Sequence, residues 1–287
     1  DALMTRENLK LILMKVKEAT PINNIWMWLN PWNFFNIADY YLHLKDYKNL
    51  ISYLNENKNL IQKSVGNRLA GFCPKNFSYS DKFALTFEWG IRGWATKEMA
   101  GGNLEFFKSE ISQLTSTIIH EIYHRIQLFL LTDKKEKDFE LITNKDIGNK
   151  YDEKFYEALS YIYLEGSASY VGGVDQKMIS SKKIIEGFEL FKDLYDMLYI
   201  NEDLKESEEI INSGLVSNGP FYSLGYRLTE IIVKSYGTIE SYHELIQEPL
   251  NFFKKCFDYI EKNLDKTEIQ FNSRIKNKVL TLQKVIN

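Results

Sequence analysis

The spacing of apolar residues differs in one segment of the chain, and this segment limits the folds that the chain can adopt. Most segments carry apolar residues three and four positions apart, the spacing of an amphipathic helix. From Phe83 to Trp89, by contrast, large apolar residues alternate with smaller or polar ones, the period of a half-buried strand. We therefore predict an α+β fold that is mainly α, with one small sheet to which residues 103–107 add a second short strand.

Helical spacing and its stop signals predict the other elements. A first helix is expected around Leu9 to Val16, because the apolar residues there are near helical spacing, and Pro21 ends the segment. Glycines at positions 90, 93, 101 and 102 indicate turns after the strand. The further predicted helices cover residues 39–62, 109–131, 152–171, 178–199, 222–236, 250–263 and 267–285.

A break in the helical pattern at Gly71 to Pro74 suggests a division of the chain. We predict an N-terminal helical cap over residues 1–75 and a main domain over residues 76–287. The composition supports a folded core, because the chain has 18 Phe, 18 Tyr and 5 Trp among its 287 residues.

Charge and hydropathy argue against nucleic-acid binding and against a membrane-spanning segment. Lys and Arg number 36 against 39 Asp and Glu, and no basic run could neutralise a phosphate backbone, so nucleic-acid binding is not expected. The longest uncharged run, Ala19 to Ala38, carries five Asn and two Pro, so no transmembrane segment is expected. The aromatic cluster between Trp26 and Phe35 is interpreted as packing under a loop, with contact to a membrane surface or substrate as the alternative.

The two cysteines, Cys73 and Cys256, are too few for a disulfide framework. We expect both to be reduced and the protein to be cytoplasmic. The chain begins with Asp1, which leaves secretion after removal of a signal peptide open.

An HExxH motif, His120 to His124, contains two of the only four histidines in the chain. It lies within the helix predicted over residues 109–131, where both imidazoles share one face about 40° apart. Two such imidazoles can bind one Zn²⁺, and Glu121 can then act as general base toward a water in the open coordination position. The alternative is a helix with two surface histidines in a helical interaction protein that binds no metal.

A catalytic zinc site needs a third protein ligand, and no histidine follows the motif closely enough to supply it. Glu165 is the leading candidate, because the small residues from Gly166 to Ser169 would let its helix approach the HExxH helix. Glu157 is the second candidate, and His243 is a weaker one. Either glutamate could instead be an ordinary solvated acid.

A second group of residues runs from Gly219 to Arg227 and opens a predicted helix. Peptide hydrolysis passes through an oxyanion, whose charge is typically shared between the metal and a side-chain donor. Tyr222 or Tyr226 could be that donor, and the alternative is that both tyrosines pack in the core.

These motifs, in the order HExxH, E-G-x-A-x-Y and G-P-x-Y-x-x-G-Y, resemble those of uncharacterised zinc-dependent metallopeptidases of the gluzincin kind. The resemblance spans about Phe83 to Tyr236. It implies a zincin-like fold, in which the sheet lies beside the HExxH helix, and a catalytic domain within residues 76–287. Thermolysin-like gluzincins carry a histidine-supporting Asp four residues after the ligand Glu, whereas this chain has Ser169 there.

The resemblance implies one Zn²⁺ per chain on His120, His124 and Glu165, with Glu121 as general base and Tyr222 as transition-state donor. The expected activity is a zinc metallohydrolase that cleaves peptide bonds in a peptide or protein substrate. The alternative is a zincin-like domain that binds zinc or peptide without turnover.

Overall fold

The computed structural model of the chain describes residues 9–13, 43–74, 77–86, 92–96, 98–107, 111–131, 143, 145–173, 179–216, 219–238, 241, 245–246, 248–263 and 269–286. The chain divides into two compact units. One unit contains Asp1–Ala70 and Lys75–Ile122, and the other contains Gly71–Pro74 and Tyr123–Asn287. The boundary near residue 122 lies inside a continuous helix, and the predicted domain boundary after residue 75 stays a prediction.

The first unit contains a small mixed sheet and the helices around it. Its elements are β1 Leu9–Leu13, α1 Leu44–Ala70, β2 Tyr79–Thr86, β3 Gly93–Ala95, β4 Ala100–Asn103, α2 Leu104–Phe107 and the first part of α3 Ile111–Leu131. The four described strands lie in the order β1-β2-β4-β3. Strand β2 runs parallel to both of its neighbours, with Leu9 opposite Tyr79 and Phe83 opposite Ala100. Strand β3 is antiparallel to β4 and ends the order of described strands.

The mainly helical α+β fold is confirmed, but two predictions of element type are wrong. Leu9–Leu13 forms a strand instead of a helix. Its leucines at 9, 11 and 13 also fit a period of two, and pairing with β2 decides between the two periods. Leu104–Phe107 forms a short helix after β4 instead of a strand.

The glycines that indicated turns lie mostly in strands. Gly93 belongs to β3, and Gly101 and Gly102 belong to β4. Gly90 and the aromatic cluster between Trp26 and Phe35 lie outside the described residues.

The second unit is helical in the part of the chain that is described. Its further helices are α4 Lys150–Gly172, α5 Ser181–Asp196, α6 Leu204–Gly214, α7 Pro220–Tyr236, α8 Pro249–Lys262 and α9 Ser273–Ile286. A π-helical turn, Met197–Asn201, extends α5. Among the described residues, no helix combines the length and the hydropathy that a membrane span requires.

Local capping explains where helix α4 begins and ends. The Asn149 side chain accepts a hydrogen bond from the Tyr151 amide, and Gly173 ends the helix with a left-handed φ of 67°. The helix predicted over residues 152–171 is therefore confirmed. Helix α6, by contrast, was not predicted, because only three of its 11 residues are large and apolar, namely Leu204, Ile210 and Ile211.

Helices α4 and α7 cross at a pair of glycines. A Cβ built on Gly166 would overlap the backbone of Gly225. A Cβ built on Gly225 would overlap the carbonyl oxygen of Ile162 and lie 2.8 Å from the Cα of Gly166. The two backbones are in direct contact, so this crossing fixes the position of α4 relative to α7.

Gly225→Ala is expected to lower the free energy of unfolding by about 3 kcal/mol or more. Overpacking typically costs about 1–3 kcal/mol, and here the overlapping atoms belong to backbone that no rotamer change can move. Urea unfolding followed by circular dichroism measures the change. Gly66→Ala in α1 is the matched control, because its Cβ would meet nothing within 4 Å. It should raise the free energy of unfolding by about 0.5–1 kcal/mol, and equal effects of the two substitutions would contradict the close crossing.

Candidate metal site

The HExxH motif lies on helix α3, which confirms the helix predicted over residues 109–131 at Ile111–Leu131. Its apolar side chains anchor it, and the fully or almost fully buried ones around the motif are Ile118, Ile119, Ile122, Tyr123 and Ile126. His120 is half-buried, whereas His124 is only 5% exposed. Because α3 is continuous through the motif, the two imidazoles follow one another by one helical turn on the same face.

Glu165 on α4 comes directly against the second histidine. Its Oε2 atom lies 3.3 Å from Nε2 of His124, across 41 residues of sequence. One ligand atom from each of His120, His124 and Glu165 lies within 4.8 Å of the other two. The structure thus brings together the three side chains that the sequence suggested for a metal.

This group fits zinc in its chemistry, and the one distance between His124 and Glu165 fits zinc in spacing. Two imidazoles and one carboxylate form a known ligand set of catalytic zinc sites, which keep a fourth position open. Two atoms that are each about 2.0–2.1 Å from a tetrahedral zinc lie about 3.3–3.4 Å from one another. The separation of 3.3 Å between His124 Nε2 and Glu165 Oε2 agrees with that value.

The other candidates for the third ligand are placed differently. Glu157 makes an ion pair with Lys154 at 2.9 Å and is not part of the group. His243 lies outside the described residues. Proximity to both histidines therefore favours Glu165.

The small residues after Glu165 have two separate uses. Gly166 does not face the HExxH helix as expected, because its backbone meets Gly225 of α7. Ser167 does contact α3, since its Oγ accepts a hydrogen bond from the Gln127 side chain at 2.7 Å. This segment of α4 therefore contacts α7 through Gly166 and α3 through Ser167.

The partner of His124 is a residue that the sequence analysis missed. Gln127 is fully buried, and its Oε1 lies 3.1 Å from Nδ1 of His124. The available signal was its position three residues after His124, which places both side chains on neighbouring parts of the helix surface. Ser169, at the position where thermolysin-like gluzincins carry a supporting Asp, is also buried.

Glu121 lies against the backbone of strand β3. A Cβ added to Gly93 would overlap Oε1 of Glu121 and come within 2.7 Å of Cγ2 of Thr117. Glu121 itself is 7% exposed. A glycine at position 93 therefore leaves room for the carboxylate between α3 and the strand.

Tyr222 and Tyr226 both lie on α7, which begins at Pro220 after Gly219 as predicted. The Tyr226 ring is 7% exposed and packs edge-on against Tyr170, with ring centroids 5.1 Å apart. Tyr222, on the first turn, is half-buried. These positions make Tyr226 a core residue and leave Tyr222 as the donor candidate, whose role stays a prediction.

Both cysteines are buried thiols, as expected for reduced residues. Burial raises the pKa of the Cys73 thiol well above its ordinary value. The protonated thiol that results is a poor metal ligand.

Comparison with known proteins gives one family match, and it covers most of the chain. No curated protein and no solved structure matches the sequence. A family model described as "Putative zinc dependent peptidase (DUF5700)" matches residues 4–263, which include the HExxH motif and Glu165. The chain therefore belongs to this family.

Proposed function

We propose that the chain is a zinc metallohydrolase that cleaves peptide bonds, with one Zn²⁺ held by His120, His124 and Glu165. The observation that carries the proposal is the convergence of these three ligand atoms within 4.8 Å. Helix α4 packs against α7 through direct backbone contact, and buried apolar side chains anchor α3, so the elements that carry the ligands are held by the fold. The family match supports peptide bonds as the target.

Glu121 is the proposed general base. Bound zinc would lower the pKa of a water in its open position to about 7. Glu121 follows the ligand His120 directly, and its carboxylate is held in a largely buried place beside β3. It takes the proton as water attacks the carbonyl carbon and passes it to the amine that leaves. Tyr222 is proposed to donate a hydrogen bond to the developing oxyanion.

The position of strand β3 in the sheet favours a peptide or protein as the substrate. It pairs with β4 on one side, and no other described strand pairs with it. An extended peptide could add to this edge through backbone hydrogen bonds. Because Gly93 of β3 abuts Glu121, a peptide paired there would present its backbone near the general base.

Zinc content and peptide cleavage of the wild-type protein test the proposal together. We expect about one zinc per chain by elemental mass spectrometry and cleavage of a peptide library that a zinc chelator stops and added zinc restores. Zinc without cleavage across the library would instead favour a zincin-like domain that binds without turnover. A protein that binds no zinc after reconstitution would contradict both readings.

Gly93→Ala is expected to reduce peptide cleavage by about 10–100-fold while zinc content stays unchanged. The added methyl would displace the Glu121 carboxylate, and a shift of about 1 Å in a catalytic group can cost about 100-fold in rate. The thermal midpoint should change little, because the overlapped atoms are the ends of two side chains. Gly66→Ala, which adds the same methyl in open space, should keep full activity. Normal cleavage by Gly93→Ala would show that Glu121 does not need its observed position.

A further inference from the structure

A buried chain of hydrogen bonds runs from His124 into helix α4. Nδ1 of His124 lies 3.1 Å from Oε1 of Gln127, and Nε2 of Gln127 lies 2.7 Å from Oγ of Ser167. Oγ of Ser167 in turn lies 2.7 Å from the backbone carbonyl oxygen of Tyr163. Gln127 and Ser167 are fully buried, so solvent does not compete for these groups.

The directions of these hydrogen bonds follow from the last acceptor in the series, the carbonyl oxygen of Tyr163. A carbonyl oxygen can only accept, so the single hydroxyl proton of Ser167 is donated to Tyr163. The Ser167 oxygen then accepts from the amide nitrogen of Gln127, which turns the amide oxygen toward His124. An amide oxygen is also only an acceptor, so Nδ1 of His124 must carry the proton.

The proton on Nδ1 leaves the lone pair of a neutral imidazole on Nε2. Nε2 is the atom that lies 3.3 Å from Glu165 Oε2, on the side where the candidate ligands converge. A flipped amide would donate to Nδ1 and put the proton on Nε2, where it would block metal binding. The arrangement of Gln127 therefore selects the one tautomer that can ligate.

We propose that Gln127, held by Ser167, is a positioning residue that fixes His124 in its metal-binding tautomer. This inference rests on the proposed function, since it takes Nε2 of His124 as a zinc ligand. It assigns to a neutral side chain on the HExxH helix itself the support that thermolysin-like gluzincins obtain from an aspartate on the other ligand helix. The interaction with the Nδ1 proton keeps the imidazole oriented, as hydrogen-bond partners of metal-bound histidines commonly do.

Zinc affinity of Gln127 variants tests the proposal without any turnover. Gln127→Met keeps the size of the side chain but removes the acceptor, and we expect the Kd for zinc, measured by chelator competition, to rise about 10–100-fold. Gln127→Glu keeps an acceptor for Nδ1–H and should remain within about threefold of wild type. Gln113→Met is the matched control, because it makes the same change on α3 seven residues before His120 and should leave the Kd unchanged.

The tautomer of His124 provides a second, independent measurement. In the zinc-loaded wild type, ¹⁵N NMR of the imidazole should show the proton on Nδ1 and the metal on Nε2. The loaded protein is used because, without metal, the Glu165 carboxylate 3.3 Å from Nε2 would itself favour a proton on that nitrogen. Ser167→Ala keeps Gln127 but frees its amide to turn, so this variant should bind zinc more weakly than the wild type. Thermal unfolding of each variant verifies that it is folded.

Zinc on Nδ1 with the proton on Nε2 in the loaded wild type, or equal zinc affinity of wild type and folded Gln127→Met, would overturn the inference. Both measurements remain informative if the wild type binds zinc and cleaves no peptide. That result would contradict the proposed activity and leave the role of Gln127 to be decided by affinity and tautomer alone.

Discussion

Glu165→Ala and His120→Ala should each yield a protein that is purified without stoichiometric zinc. Zinc sites with four protein ligands bind with apparent free energies of about 10–16 kcal/mol, so one ligand contributes roughly 3–4 kcal/mol. Loss of that contribution raises Kd by about 100–1,000-fold. Elemental mass spectrometry of dialysed protein, with Kd from chelator competition, measures both effects. Peptide cleavage should fall in parallel with zinc occupancy.

Glu157→Ala is the control for Glu165→Ala, because it removes a carboxylate from the same helix without removing a proposed ligand. Glu157 and Glu165 lie on the same helix, but Glu157 is engaged with Lys154 at 2.9 Å. Partly exposed ion pairs of this kind contribute only about 0–1 kcal/mol, so this variant should keep its zinc and its fold. Zinc retained by Glu165→Ala and lost by Glu157→Ala would reverse the assignment of the third ligand.

The candidate ligands could be named from the sequence because each depends on a local pattern. The two histidines need only the helical repeat to share a face, and α3 has that repeat throughout Ile111–Leu131. Glu165 was identified by the small residues that follow it. These small residues were expected to let α4 approach α3. Ser167 does contact α3, whereas Gly166 contacts α7, so this reason for choosing Glu165 is only partly correct.

The supporting residues could not be named because they depend on tertiary packing. Gln127 and Ser167 are 40 residues apart in sequence, and Ser167 was noted only as a small residue, so nothing in the sequence indicated the hydrogen bond between them. Gly93 was interpreted as a turn glycine. In the structure it lies in a strand, and a side chain at this position would overlap the carboxylate of Glu121 on α3. Strand β1 shows the same limit for the fold, because pairing with β2 overrides an apolar pattern that also fits a helix.

Glu121→Gln should abolish peptide cleavage while leaving zinc bound at about one per chain. The amide has almost the same shape as the carboxylate, so it fits the place beside Gly93 without disturbing α3. It cannot accept the proton of the attacking water, and loss of a general base typically costs about 100–10,000-fold in rate. Because the metal ligands are untouched, the loss should appear in kcat and not in the Kd for zinc.

Glu157→Gln makes the same chemical change at the Lys154 ion pair and should retain wild-type cleavage and zinc. Both variants lose one negative charge, so a difference between them reports on the position of the carboxylate and not on the loss of charge. Cleavage by Glu121→Gln near the wild-type rate would show that another group removes the proton, even if zinc were bound as proposed. Loss of zinc from Glu121→Gln would instead place Glu121 among the ligands, although it lies outside the group formed by His120, His124 and Glu165. Retained zinc with lost turnover is therefore the one combination that assigns Glu121 to proton transfer.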